Sequence, residues 1–310
     1  MRMLVDFFRR AIGVTALQDD FRRMAKRLDS LESHARLESK WRGHFTAKVD
    51  ALLRHEYVGP MLVDEYPTSL LSQRFKLMSQ NEEDGMTLAL LKLAKAPNKT
   101  FLEIGSGASG GNSGMLAQEF GWRGLMVDID PAKIEKARAR FGANPHVSFE
   151  AVAVSPENIN GLIERHGLVG EIDFFSLDID SFDYWVLEAM SACSPRVMVL
   201  EYNANFGSHR SLSIARDTDM SRAVKGFHGA SLKALTKLAM AKGYRLLACD
   251  ESGTNAFYLR GDLCPDIEAV APEVAFRPMR DSGDPLRETL RAPKDLEAIA
   301  KQHGLRLVEV

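Results

Sequence analysis

The chain has 310 residues, 45% of them hydrophobic and 26% charged, with 40 Lys plus Arg against 42 Asp plus Glu and a net charge of −2. That is the make-up of an ordinary globular protein, with room for one large domain and additions or two modest ones, and it excludes wholesale disorder, collagen and a transmembrane bundle. The first 60 residues hold 12 basic and 8 acidic side chains, too small an asymmetry for a nucleic-acid footprint, so no nucleic-acid partner is expected.

Residues 1–60 read as a helical segment. Leu17, Phe21, Met24, Leu28, Leu31 and Ala35 alternate spacings of four and three, the seam of an amphipathic or coiled-coil helix. Trp41, Phe45, Val49 and Leu52 continue the stripe in a slipped register, so the segment is expected to cap its own domain or to pair with a second copy as a homo-oligomer. Charged Asp6, Arg9 and Arg10 interrupt what would have to be a signal core, and no apolar run reaches the ~18 residues of a membrane span. Three cysteines without a close pair fit a reducing compartment, and a cytoplasmic location is expected.

From about residue 100 short apolar runs alternate with helical periodicity, which predicts a mostly parallel sheet covered on both faces. The expected strands are 100–105, 124–128, 147–154, 172–178 and 196–202. Helices are expected from about Ser113 to Phe120, after Asp130-Pro131, and from Ser231 until Gly243 stops it. The runs YRLLACD and NAFYLRG, joined by ESGT, predict an antiparallel terminal hairpin. The domain expected over 61–262 is followed by a tail, 263–310, with five of the 12 prolines, read as an irregular wrap and a short helix over 296–302.

Directly after the first strand, Gly105, Gly107 and Gly110 satisfy G-x-G-x-x-G, and Asp128 ends the next strand. Glycines let a backbone turn tightly against a ligand, and a carboxylate at that position accepts from ribose hydroxyls, so a nucleoside site is expected. Charge chooses the nucleoside. Glu103, Asp128, Asp178 and Glu201 stand at or near the carboxyl ends of strands, and the loop has no lysine or arginine to meet a pyrophosphate. A cationic sulfonium cofactor, S-adenosylmethionine, suits that rim better than a nicotinamide dinucleotide. Two other readings are kept: a nicotinamide-dependent oxidoreductase on the same loop, and a non-catalytic scaffold.

These residues resemble the class I S-adenosylmethionine-dependent methyltransferases. E-x-G-x-G at Glu103 to Gly107, VDIDP at Val127 to Pro131, Asp178 and the closing helix and hairpin carry the likeness over about half the chain. AVAVSPENIN, FFSLDIDSFDYWVL and VMVLEYNANFG look like the FkbM-type branch, although Ser181 stands where that branch has glycine. The resemblance implies a Rossmann-like α/β fold with a seven-stranded sheet, and O-methylation of a hydroxyl on a sugar, glycan or other small-molecule acceptor. It also implies that Glu103 and Gly105, Ser106 and Gly107 face the methionine part, that Asp128 with Ile129 holds the ribose, that Ala151 and Val152 border the adenine, and that Asp178 lies by the amino group.

On the acceptor side His228, His209 and Asp178 are the candidate proton-transfer groups, with Tyr202, Asn203 and Asn205 as a polar cluster after the fifth strand. A Mg²⁺ set of Asp178, Asp180 and Asn203, with Asp183 nearby, is a secondary reading. One cofactor contact, one helix cap and one solvated charge account for the acids more simply, so no metal is assigned.

Overall fold

The computed structural model describes Met24 and residues 70–71, 73–220, 226–280 and 290–310. Apart from Met24, which is exposed, the expected N-terminal helix lies outside the described residues.

Five strands, β1 (Thr100–Ile104), β2 (Arg123–Asp128), β3 (Val147–Ala151), β4 (Gly170–Leu177) and β5 (Cys193–Glu201), pair in parallel, and β7 (Tyr244–Cys249) and β8 (Asn255–Arg260) join antiparallel. The order is β3-β2-β1-β4-β5-β8-β7, with the hairpin at one edge. This is the expected doubly wound sheet with its antiparallel end.

Alternation along the strands builds one core on each face, as period-two side-chain direction requires. Leu102, Ile104, Val127 and Phe175 pack with Ile163 of α4 (Ile159–Arg165), Leu187 of α5 (Asp183–Ala189) and Leu235 of α6 (Leu232–Ala241). Phe101, Met126, Phe174 and Val199 pack with Leu90 of α1 (Glu83–Leu93), Met115 of α2 (Gly114–Glu119) and Phe141 of α3 (Pro131–Phe141). The helix starts follow local chemistry. Asp130 accepts from the Ala132 N–H at 2.8 Å ahead of Pro131, and Ser231 accepts from the Ala234 N–H at 3.1 Å, each satisfying an orphan donor of a first turn.

Two expectations change. The third strand stops at Ala151 rather than 154, because Asn158 folds the next residues into a turn, accepting from Ser155 N–H and donating to the Ala153 carbonyl, both at 2.8 Å. The tail does more than wrap. After α7 (Pro272–Ala275) and α8 (Leu296–His303), β9 (Leu307–Glu309) pairs antiparallel with β6 (Leu212–Ile214). Leu212, Ile214, Phe227, Leu296 and Leu305 form a small core beneath that pair. The described residues include no helix long and apolar enough to cross a membrane.

Candidate functional site

The loop after β1 is cinched to its neighbours. Gly105 N–H and Ser106 N–H both donate to the Val127 carbonyl at 2.8 Å. Gly105 sits at φ +90°, and a Cβ there would lie 1.6 Å from the Asp178 carbonyl oxygen, so only glycine lets the loop pass over the end of β4. Gly107, at φ +57°, differs: the nearest atoms to a Cβ there are 3.9 Å away, in Ser109. Its left-handed backbone therefore borders open space where a ligand has access.

Under this loop Asp128 is buried and divides its carboxylate between two backbone donors, Gly107 N–H on Oδ2 and Asp130 N–H on Oδ1, both at 2.9 Å. Each oxygen keeps a second lone pair for a ligand hydroxyl. Lys133 stands 3.7 Å from Oδ2 on the exposed side. Ile129, next in the chain, is 69% exposed, Ala151 is exposed and Val152 half-buried. The Val152 N–H bonds to the Asp128 carbonyl at 3.0 Å, so the residues expected around ribose and adenine share one strand-end rim.

Glu103 is turned inward. Its carboxylate accepts from Asn112 N–H at 3.1 Å and Ser113 Oγ–H at 2.6 Å, so it clamps the far side of the glycine loop. Burial pushes it up to about 7, partly offset by the Ser113 and Asn112 hydrogen bonds.

On the β4–β5 side the geometry is crowded. Asp183, at the start of α5, accepts from Ile179 N–H at 3.0 Å and Ser181 N–H at 3.1 Å. That grip holds Asp180 at φ +53°, an unusual conformation for a residue with a side chain. Asp178, Asp180, Glu201 and His228 line one cavity of about 540 Å³, together with Gln80, Asn205, Met279, Arg280 and Lys294 among others. Asp178 is partly accessible, yet the protein packed round it and the nearby Asp183 charge push it up to about 7. Glu201, buried among Asp178, Asp183 and Asp180, is pushed well above the usual carboxylate range, chiefly by burial and then by those like charges. Asp178 and Glu201 lie close enough that a negative charge on one disfavours a negative charge on the other. Buried Glu83 of α1 also raises Asp178 by its charge.

His228 is 9% exposed, and its Nδ1 lies 3.4 Å from Asp180 Oδ1 and 3.8 Å from Glu201 Oε2 without a hydrogen-bond partner. His209 is exposed on the turn after residue 207 and is not among the cavity's lining residues. Asn203 departs from the secondary metal reading. Its Oδ1 accepts from Asn205 N–H at 3.1 Å and Nδ2–H at 2.8 Å, while its own Nδ2 donates to the Gly226 and His228 carbonyls at 2.9 and 3.0 Å. Its Oδ1 is thus taken up by Asn205 and its Nδ2 by the loop that carries His228. Glu201 takes its place beside Asp180. Its position at the end of a buried strand was visible in the sequence, but its pairing with His228 across 27 residues was not.

No family model matches the chain, and no curated protein matches it. Among solved structures, the N-terminal domain of EvdMO1 with SAH bound aligns over 59% of this chain and 81% of that one, at 13% identity and a TM-score of 0.39. An O-methyltransferase from Bacillus cereus in complex with SAH aligns over 69% and 89%, at 14% identity and a TM-score of 0.34. An S-adenosylmethionine-dependent methyltransferase from Clostridium acetobutylicum aligns over 56% and 88%, at 11% identity and a TM-score of 0.37.

The two rims meet at Asp178. Its N–H bonds to the Ile104 carbonyl at 2.9 Å, its carbonyl underlies Gly105, and it lines the cavity. A cation lying between the glycine loop and the cavity would have this carboxylate beside it.

Proposed function

We propose that this protein is a cytoplasmic S-adenosylmethionine-dependent methyltransferase of the FkbM-like branch, acting on a hydroxyl of a sugar, glycan or natural-product acceptor. The observation that carries the reading is Asp128. Buried under a glycine loop and oriented by two backbone N–H groups, it offers ribose hydroxyls two fixed acceptors, and residues 105–111 offer a pyrophosphate no basic side chain.

The residues fit the cofactor. Gly107 leaves room for close approach, exposed Ile129 offers an apolar surface beside Asp128, and Asp178 supplies a negative charge toward an ammonium or sulfonium group. The cofactor brings an already activated methyl group on positive sulfur, so the protein's task is to align donor and acceptor. In the transfer the S–CH₃ bond breaks, the O–CH₃ bond forms, sulfur becomes a neutral thioether and the hydroxyl proton leaves. The cluster of Asp178, Glu201 and His228 lies in the cavity that would receive the acceptor and can take that proton. His209, outside this cavity, has no such role.

Calorimetry with S-adenosylmethionine, S-adenosylhomocysteine and NAD tests the reading. Binding of the first two and not of NAD is expected, with Asp128→Ala weakening S-adenosylmethionine about 10- to 100-fold, equivalent to the ~1.5–3 kcal/mol of hydrogen bonds to a charged group. Heat with NAD alone would replace this reading with the oxidoreductase. Cofactor binding without turnover across a hydroxyl-acceptor panel would leave the scaffold.

A further inference from the structure

We infer that Asp180, Glu201 and His228 form a binding site for one divalent transition-metal ion, with Mn²⁺ as the type. The site is defined by residues brought together from three separate places: the turn after β4, the end of β5 and the loop before α6.

Distance is the first argument. One ligand atom from each residue can be chosen so that all lie within 4.8 Å of one another. Two adjacent ligands held ~2.1 Å from one ion stand about 3.0 Å apart at the octahedral angle of Mn²⁺ and about 3.4 Å apart at a tetrahedral one. His228 Nδ1 is 3.4 Å from Asp180 Oδ1 and 3.8 Å from Glu201 Oε2, long for hydrogen bonds and close to the separation that a shared ion imposes.

The second argument is the nitrogen. A buried ring nitrogen normally finds a partner, because leaving it without one forfeits the hydration it had in water. His228 is 9% exposed, and its Nδ1 has no hydrogen-bond partner although two carboxylates face it. Asn203 fixes the loop by donating to the His228 carbonyl, and the Asp183 grip holds Asp180 in its left-handed conformation. The three groups are thus held in place without hydrogen-bonding one another, at spacings that one shared ion can bridge.

Charge is the third. Among the described residues, Asp180 and Glu201 have no ion pair other than the one with His228. Arg280, Arg291 and Lys294 line the same cavity, yet none is ion-paired to these carboxylates. A doubly charged ion would relieve the repulsion among Asp178, Asp180, Asp183 and Glu201. One imidazole with two carboxylates suits Mn²⁺ and its transition-metal neighbours, whereas Mg²⁺ prefers oxygen ligands throughout. Asp180, with 77% of its side chain exposed, leaves the solvent side open for an acceptor oxygen. That last role rests on the methyl-transfer reading; the binding site does not.

The test needs neither cofactor nor acceptor, so its failure is separate from failure of the proposed function. The full chain, stripped with EDTA, is titrated with Mn²⁺, and free ion is followed by electron paramagnetic resonance. One saturable Mn²⁺ per chain is expected, with ¹⁴N modulation in the spin echo from a directly bound imidazole and retention of the ion under a tenfold excess of Mg²⁺. His228→Ala should abolish the nitrogen signal and weaken binding by more than the ~10- to 100-fold that loss of an outer partner costs. Glu201→Gln, which keeps shape, should weaken it as well should His228→Ala fail to fold, and His209→Ala should bind as wild type. Thermal unfolding reports whether each variant is folded. No saturable Mn²⁺, a signal without nitrogen coupling, or equal binding by the His228 and Glu201 variants overturns the proposal.

Discussion

The two halves of the strand-end rim handle negative charge in opposite ways. At β1 and β2, Asp128 and Glu103 are buried, and every carboxylate oxygen has a donor from a neighbouring backbone N–H or hydroxyl within the glycine loop or the turn after β2. At β4 and β5, Asp178 and Glu201 face each other, and the His228 nitrogen nearest to Glu201 is unpartnered. The first half is complete as folded and presents a finished surface. The second half carries strain and repulsion that folding alone does not remove, and such uncompensated groups concentrate where chemistry or ligands supply the missing charge. Satisfied acids position; unsatisfied acids react or bind.

The largest expected effect comes from breaking the seam between the halves. Gly105→Ala places a Cβ 1.6 Å from the Asp178 carbonyl oxygen, so loop and β4 end must separate. Strain and overpacking together should cost about 2–6 kcal/mol. Denaturant unfolding measures the loss, and calorimetry should show S-adenosylmethionine binding gone. A variant as stable as wild type with unchanged affinity would mean that the loop does not depend on Asp178.

A smaller effect, of opposite sign, comes from the carboxylates that burial pushes up on both sides of the rim. Asp178, Glu103 and Asp250 are each pushed up to about 7, chiefly by burial, and Glu201 is raised too. Between the unfolded value near 4 and the folded value, the native state holds protons that the unfolded chain has released. For Asp178, Glu103 and Asp250 stability therefore falls as pH rises through about 4 to 7, and Glu201 adds a loss of the same sign as pH rises through its own raised value. Glu201→Gln removes one of the competing charges, so it should raise the melting temperature at pH 8 and flatten the decline between pH 5 and 8. Melting temperatures across that range decide it, and a wild-type curve that climbs with pH contradicts the assignment.

The same contrast separates what a reader of the sequence can see from what only the fold assembles. The sheet was legible because β1, β2, β4 and β5 are buried runs bounded by turn residues, and α3 and α6 carry their caps in the sequence at Asp130 and Ser231. The glycine-loop rim was legible for the same reason: Gly105, Gly107 and Asp128 lie within 24 residues, on consecutive elements. The rim at β4 and β5 was not. Asp180, Glu201 and His228 are drawn from three connections, and nothing local tells His228 from exposed His209. Asn203 had the right chemistry for a ligand, but its partners, the Gly226 and His228 carbonyls, exist only once the loop has closed. The β6–β9 pair escaped because three-residue strands are too short for alternation to register, and with it went the tail's contribution of Met279, Arg280 and Lys294 to the cavity.

Ile129 gives the smallest effect and the cleanest separation of folding from binding. It is a large apolar side chain, 69% exposed, beside an acid that is already fully supported by backbone donors. Removing it takes little from the core, so Ile129→Ser should leave the unfolding free energy within about 0.5 kcal/mol of wild type. If the exposed side chain covers a nucleoside, part of its area is buried only when ligand is present. At about 25 cal/mol per Å², partial burial is worth ~1 kcal/mol, a roughly fivefold weaker dissociation constant. Parallel denaturation and calorimetry measure the two quantities on the same preparation. Lost stability with intact affinity would make Ile129 part of the fold, whereas the reverse pattern makes the glycine-loop rim a surface completed in advance of its ligand, in contrast to the rim at β4 and β5, 50 residues further along the chain at Asp178.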